Sequence, residues 1–146
     1  MVRRWMLMVS LLAAVVFPPW MAQGMADPVA QADVASIQGA ILGQLHALSE
    51  DDATRAFELS SPSIRSQMGD ADNFLRIIKE EYSPIYRHLV VIFSAPELLG
   101  DTIIQIVRLT DRENRVWLAI YSMERDTSGS WKIDGCQLLE TSSVSV

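Results

Sequence analysis

The spacing of the apolar residues changes at Pro84, and this change limits the folds that the chain can adopt. Before Pro84, apolar residues recur every three or four positions, as on one face of an amphipathic helix; Val34, Ile37 and Ile41 begin the first such series. After Pro84, the period falls to two, which is typical of β-strands. Helices followed by strands with short links between them predict an α+β domain.

Four helices are predicted, each opening on a side chain that can accept a hydrogen bond from the first backbone N–H groups. In chain order, the expected caps are Asp33, Ser49 (in a capping box with Asp52), Ser61 followed by Pro62, and Asp70 or Asp72. Gly69 should end the third helix. The fourth should stop at Ser83, because a residue before proline avoids the helical backbone angles.

Four strands are predicted over residues 88–94, 102–110, 115–125 and 130–139. Turn-forming residues separate them, beginning with Pro96 and Gly100 between the first two strands. Because short links join antiparallel neighbours, the four strands should form an antiparallel meander.

The first 26 residues differ in kind from the rest. Arg3 and Arg4 precede an uncharged apolar run over residues 5–17, and two prolines and a small-residue stretch ending at Ala26 follow. This order is typical of a cleaved secretory signal peptide. An uncleaved membrane anchor is the alternative, although the run of about 13 residues is shorter than the roughly 20 that span a bilayer. We therefore expect export to the periplasm or the cell exterior, with membrane attachment only through an uncleaved signal.

Behind the signal, we expect a tether over residues 27–32, one domain over residues 33–141 and a short tail over residues 142–146. Removal of Arg3 and Arg4 leaves 10 of the 12 basic side chains against 18 acidic ones, a net charge of −8. Binding to a phosphate backbone requires clustered Lys and Arg, which this sequence lacks. No nucleic-acid partner is therefore expected.

Three segments resemble domain-of-unknown-function family 4864, a family of small exported bacterial proteins: residues 56–69 (AFELSSPSIRSQMG), 82–87 (YSPIYR) and 130–138 (SWKIDGCQL). The resemblance covers residues 37–141. It implies a cystatin-like, nuclear-transport-factor-two-like fold, in which helices and a curved sheet enclose a cone-shaped cavity. The family has no established activity, so the resemblance implies no catalytic residues.

Aromatic and polar side chains near the expected cavity are the candidate site. Buried Tyr and Trp carry a polar group that needs a partner, which suits a pocket lining. The candidate ligand-binding residues are Tyr82, Tyr86, Trp117, Tyr121, Asp134 and Cys136. The alternatives are core or subunit packing for the aromatic residues, a half-exposed strand position for Asp134 and a structural role for Cys136, the sole cysteine.

No sequence motif points to a metal or a cofactor, and none is expected. His46 and His88 lack ligand spacing, and residues 70–81 fail as a calcium loop because Leu75 stands where glycine is required. We favour a non-catalytic domain that binds a small apolar ligand or a partner protein. The alternatives are an isomerase- or dehydratase-like enzyme using a tyrosine and a carboxylate, or a structural subunit with a filled cavity. Whether the chain is an enzyme stays open.

Both faces of the second and third predicted strands are apolar, yet the helices of so short a chain can cover only one. An uncovered apolar face of several hundred Å² predicts a homodimer. We expect Trp117, Tyr121 and Met123 to lie on the contact face, so that Tyr121→Glu would separate the subunits. A monomer would instead place this aromatic face in the cavity.

Overall fold

A computed structural model describes residues 29–141, which contain five helices and five strands. The helices are α1 (Gln31–Ser49), α2 (Ala53–Glu58), α3 (Pro62–Met68), α4 (Ala71–Glu81) and α5 (Ser83–Tyr86). The strands are β1 (His88–Phe93), β2 (Glu97–Leu99), β3 (Thr102–Asp111), β4 (Val116–Arg125) and β5 (Trp131–Glu140). The predicted α+β class is confirmed. The predicted signal, residues 27 and 28 of the predicted tether and the whole predicted tail lie outside the described residues.

Side-chain caps start two of the helices as predicted. The Ser61 Oγ accepts a hydrogen bond from the Ile64 N–H at 3.2 Å, and the Asp70 Oδ1 accepts one from the Asn73 N–H at 2.7 Å. Pro62 occupies the first turn of α3, where its missing N–H costs no hydrogen bond.

The other two predicted caps are wrong. The first helix begins at Gln31 without a capping side chain, because the Asp33 carboxylate instead accepts hydrogen bonds from Arg125 and Trp131. The second is capped by Asp52, since the Ser49 hydroxyl donates to the His46 carbonyl in the last turn of α1.

The fourth helix ends at Glu81, close to its predicted end at Ser83, but a short helix that the sequence did not predict follows it. Tyr82 leaves the helical angles (φ −125°, ψ 40°), and α5 then starts at Ser83 with Pro84 in its first turn. Proline is tolerated there because the first N–H groups of a helix have no partner within it. The short α5 thereby carries the chain from α4 into the sheet.

The sheet has five strands rather than the predicted four. Its order is β1-β3-β4-β5, and β2 also pairs with β3. Phe93 of β1 lies opposite Val107, and Glu97 of β2 lies opposite Ile104 on the same strand. The two short strands therefore form one edge strand that is interrupted at residues 94–96. All strand pairs are antiparallel, and the four predicted strands begin and end within one residue of their observed bounds.

The helices cover one face of the sheet, and this inner face carries the aromatic residues. Tyr121 is 1% exposed, Met123 is buried, and Trp117 packs at the edge of the core. The expectation that these residues form a subunit contact is wrong, because α1 and its neighbours already cover them. Phe74 and Ile78 are buried in the core, whereas Phe57 and Trp131 are half-buried at its margin.

The outer face of the sheet points away from the helices and is largely apolar. It carries Val90, Ile92, Ile104, Ile106, Val116, Leu118, Ile120 and Leu139. Within residues 29–141 none of these side chains belongs to the core, and Ile92 and Leu139 are 53% and 52% exposed. Over the same residues, no helix combines the length and the hydrophobicity of a membrane span.

Candidate functional site

A cavity of about 210 Å³ lies between the helices and the inner face of the sheet. Residues of α1, α3, α4, α5, β4 and β5 line it, and α2 packs behind α4. Its lining is formed by Gln44, Ser60, Ile64, Gln67, Met68, Phe74, Ile78, Tyr82, Ile85, Tyr121, Ile133, Gly135 and Cys136. None of these side chains carries a formal charge at neutral pH. The cavity is therefore a mostly apolar site with a few polar groups.

The spacing of residues in two short helices builds one wall of the cavity. Ile64 and Met68 are four positions apart on α3, and Phe74 and Ile78 are four apart on α4, so each pair lies on one side of its helix. The Phe74 ring also packs against Phe57 of α2, with 5.9 Å between the ring centroids. This contact fixes the position of α4 against the rest of the domain.

Tyr121 of β4 contributes the most unusual polar group in the cavity. The residue is 1% exposed, and its hydroxyl has no hydrogen-bond partner among the described residues. Leaving a buried hydroxyl unpaired costs about 1–3 kcal/mol. Burial, together with the nearby Cys136 thiol, raises the pKa of Tyr121 well above its ordinary value of 10.0. The group therefore stays a neutral phenol that can donate one hydrogen bond into the cavity.

Cys136 lies opposite Tyr121 in the β4–β5 register. Burial raises the pKa of its thiol from 9.0 to about 12, and the neighbouring Tyr121 hydroxyl opposes this shift only in part. The thiolate is the nucleophilic form of cysteine, so a thiol with this pKa is inert at neutral pH. Cys136 serves as a small apolar wall residue.

Tyr82 joins these two residues in the cavity from the end of α4. It is half-buried, and this burial is the main reason that the pKa of its hydroxyl lies above 10.0. The nearby Cys136 and Glu81 groups raise the pKa further. Three of the six candidate residues, Tyr82, Tyr121 and Cys136, are thus brought together around one cavity.

The other three candidates lie outside the cavity lining. The Tyr86 hydroxyl donates to Asp51 at 2.7 Å, and the Trp117 Nε1 donates to the Asp111 Oδ2 at 2.9 Å. The Asp134 carboxylate accepts a hydrogen bond from the Ser61 Oγ at 2.6 Å. Each of these side chains holds together two parts of the fold.

A β-bulge explains why Asp134 and Cys136 are separated. Strict alternation along β5 would place both on one face, but Gly135 pairs with Ser122 and Ile133 pairs with Met123, so Asp134 is an extra residue. A Cβ on Gly135 would lie 2.9 Å from the Ser122 Oγ, so glycine permits this close approach. The bulge lets Ile133 and Cys136 both face the cavity.

Sequence reasoning missed Gln44 and Ser60, which form the polar end of the cavity. The Gln44 Nε2 donates to the Ala56 carbonyl at 3.0 Å and to the Ser60 Oγ at 3.1 Å. The available signal was the position of Gln44, which interrupts the apolar face of α1 between Ile41 and Leu45. The Gln44 amide and the Ser60 hydroxyl thus have hydrogen-bond partners within the protein, whereas the Tyr121 hydroxyl has none among the described residues.

Metal coordination is not supported by the arrangement of side chains in residues 29–141. Within that range, no three His, Cys, Asp or Glu residues lie close enough to hold an ion. His46 is solvent-exposed beside Glu50, and the His88 Nδ1 bonds the Ile85 carbonyl.

The family model described as a domain of unknown function (DUF4864) matches residues 30–146. The chain belongs to the DUF4864 family. The match begins one residue before α1 and includes every helix and strand described above, so the predicted family is confirmed. No curated protein and no solved structure matches the chain. For this DUF4864 domain, the side chains around the cavity are therefore the evidence that bears on function.

Proposed function

We propose that this DUF4864 domain binds a small, uncharged, mostly apolar molecule in its cavity, with the Tyr121 hydroxyl as the main polar contact. The observation that carries the proposal is a buried hydroxyl without a partner on the wall of an apolar cavity. A ligand atom that accepts a hydrogen bond would remove the cost of that unpaired group.

The lining also defines the chemical class of the ligand. A charged ligand would be buried without a counter-ion, which is strongly unfavourable, because no Asp, Glu, Lys or Arg lines the cavity. An apolar cavity of about 150 Å³ holds benzene, so a cavity of about 210 Å³ holds a molecule of about eight non-hydrogen atoms. Tyr121 stays protonated at neutral pH, so the ligand would supply the acceptor, such as a carbonyl oxygen.

A pair of probe molecules and one variant test this proposal. Cyclohexanone and cyclohexane differ by the carbonyl oxygen, and Tyr121→Phe removes only the hydroxyl. Both probes would be titrated by NMR into the wild-type protein and the variant. We expect the variant to bind cyclohexanone about five- to tenfold more weakly, the loss of one hydrogen bond of roughly 1 kcal/mol.

Cyclohexane is the internal control, because its affinity should be equal or higher in Tyr121→Phe. Equal cyclohexanone affinity in both proteins would contradict the role of Tyr121. Failure of the wild-type protein to bind either probe would contradict an accessible ligand cavity.

The cavity lining gives less support to the two alternative functions. The isomerase- or dehydratase-like hypothesis requires a carboxylate beside a tyrosine, but no carboxylate lines the cavity and Asp134 is engaged by Ser61. The structural-subunit hypothesis requires a filled cavity, and an open volume of about 210 Å³ favours binding instead. The position of this cavity between helices and sheet also supports the proposed cystatin-like cone.

We also propose that the protein is exported and that its signal is removed. The support is the order of charged, apolar and small-residue segments in residues 2–26. Mass measurement of protein purified from its host should place the N-terminus near Met25 or Asp27. Mature protein that retains Met1 in the membrane fraction would identify an anchor instead.

A second copy of the chain is the proposed partner of the outer face. Four neighbouring strands about 4.8 Å apart and about 34 Å long give a face of roughly 650 Å². A stable interface buries about 800 Å² on each partner, so this face would supply most of that area and its rim would have to supply the rest. A two-fold contact covers the same apolar surface on both copies, which makes a homodimer the simplest arrangement.

Ile106 and Ile120 are cross-strand partners at the centre of the outer face, so Ile106→Glu tests the dimer. Analytical ultracentrifugation should show a wild-type dimer and a variant monomer of about 13 kDa, the size of one domain. Leu42→Glu is the matched control, because Leu42 is 48% exposed on α1, away from the sheet. A wild-type monomer at high micromolar concentration would contradict the proposal.

A further inference from the structure

A second cleft lies where α5, β1 and the turn between β3 and β4 meet. Its volume is about 190 Å³, and it is lined by Ser49, Tyr86, Arg87, His88 and Arg112. Two of these five residues are arginines, a third is a histidine, and none is acidic. It shares no lining residue with the apolar cavity. The two sites therefore suit ligands of opposite chemical character.

The arginines of this cleft are not engaged by the protein's own carboxylates. Within residues 29–141, Arg76, Arg115 and Arg125 each form an ion pair, whereas Arg87 and Arg112 form none. Arg55, Arg65 and Arg108 of the same range also form none, but only Arg87 and Arg112 line the cleft together. Both guanidinium groups are thus free to bind an anion from solution.

The backbone around Arg112 is held in place by a buried carboxylate. Asp111 is 1% exposed, and its Oδ1 accepts hydrogen bonds from the backbone N–H groups of Glu113 and Arg115. Its Oδ2 accepts from the Trp117 Nε1 at 2.9 Å. These bonds fix the turn in which Arg112 lies, and they give Trp117 a role in shaping this cleft.

The opposite wall is fixed as well. His88 is the strand partner of Asp111, and its Nδ1 donates to the Ile85 carbonyl at 2.7 Å, which holds the ring in place. The Tyr86 hydroxyl is held by Asp51. Two acidic side chains next to the cleft are paired with cations, Asp51 with Lys79 at 3.2 Å and Asp111 with Arg115 at 3.1 Å, and Arg115 also contacts Glu113 at 3.8 Å.

We propose that this basic cleft binds a small molecule through an oxyanion group, a phosphate or a carboxylate. A guanidinium presents parallel N–H donors that match two oxygens of such a group, and pairs of this kind are stronger than neutral hydrogen bonds. Arg87 and Arg112 approach the ligand from two different elements, α5–β1 and the β3–β4 turn. The fixed walls reduce the ordering that binding requires, since mainly the arginine side chains have to move.

NMR titration of the mature domain with inorganic phosphate and with acetate tests the site. At low ionic strength, we expect millimolar binding, with shifts centred on the backbone amides of residues 86–88 and 112. Tighter binding of phosphate identifies a phosphate ligand, and tighter binding of acetate identifies a carboxylate; both outcomes support an oxyanion site. Equal shifts with chloride at the same ionic strength would overturn the proposal, because they would reflect charge screening.

Two arginine variants give the matched comparison. Arg112→Gln removes a cleft cation, whereas Arg55→Gln removes an exposed cation from α2 outside the cleft. We expect Arg112→Gln to weaken oxyanion binding by about tenfold and Arg55→Gln to leave it nearly unchanged. Equal effects of the two variants would show that net charge, rather than this cleft, attracts the anion. The Tyr121→Phe variant should bind the oxyanion as the wild type does, which separates this site from the cavity.

Discussion

The reactivity of Cys136 provides a direct measure of how completely the cavity wall excludes water. Burial raises the pKa of its thiol from 9.0 to about 12. Only the thiolate reacts with iodoacetamide. At pH 8, a thiol of pKa 9.0 is roughly one-tenth ionised, whereas a thiol of pKa 12 is ionised to about one part in ten thousand. Native Cys136 should therefore be alkylated about 1000-fold more slowly than in the unfolded chain.

The assay is a time course of alkylation at pH 8, followed by mass spectrometry, with and without a denaturing concentration of urea. The double variant Cys136→Ser, Ser128→Cys is the control, because it keeps one thiol but places it in the exposed turn between β4 and β5. The control should react at nearly the same rate in both conditions.

The same pKa shift predicts how stability depends on pH. The folded-state pKa lies above the unfolded one, so the neutral thiol stabilises the fold fully below pH 9. That contribution is lost as the pH rises through about 12. Native Cys136 labelling within about tenfold of the control rate, while hydrogen exchange shows β5 closed, would refute the reasoning.

Three other predictions concern the parts of the fold that hold the two sites, all measured by urea unfolding. Burial alone would raise the pKa of Asp111, but hydrogen bonds from Trp117 and the turn hold it below 3.8, so its stabilising effect should be full above pH 3.8 and fade below it. Asp111→Asn should lower the free energy of unfolding by about 2 kcal/mol or more, and Trp117→Phe should lower it by about 1 kcal/mol. An unchanged free energy of unfolding in either variant would contradict a stabilising contact between Asp111 and Trp117. Ser61→Ala should cost about 2 kcal/mol through the lost cap and the lost hydrogen bond to Asp134, against no effect for the exposed Ser63→Ala. Phe74→Ala should cost about 3–5 kcal/mol, and a loss below 1 kcal/mol would place the ring outside the core.

The strands and most helices could be read from the sequence because their signals are local. β-branched, aromatic and other apolar residues run through the ten residues of β3 and of β4, and turn-forming residues bound each strand. Likewise, Ser61, Pro62 and Gly69 mark the ends of α3 by their own backbone and side-chain preferences. The predicted caps of α1 and α2 were wrong because the Asp33 and Ser49 side chains form hydrogen bonds with other groups in the folded chain.

The membership of the cavity depends on features that no local pattern encodes. The bulge at Asp134 changes which residues of β5 face inward, and a shift of one residue reverses the faces of a strand. The sequence also does not determine which face of the sheet the helices cover, because β3 and β4 are apolar on both sides. Tyr86 was expected in the cavity, but α5 turns it toward Asp51 instead. The aromatic composition thus indicated a site, and tertiary packing selected its members.

The two edges of the sheet have a consequence for solubility. Unpaired edge strands can recruit other chains and start aggregation. The edge of β5 is paired at Ile133 by the chain itself. The Ser61 N–H donates to the Ile133 carbonyl, and the Ile133 N–H donates to the Leu59 carbonyl. The opposite edge is broken at residues 94–96, where Pro96 has no N–H to offer an incoming strand. Both features reduce the length of free strand edge on which another chain could add.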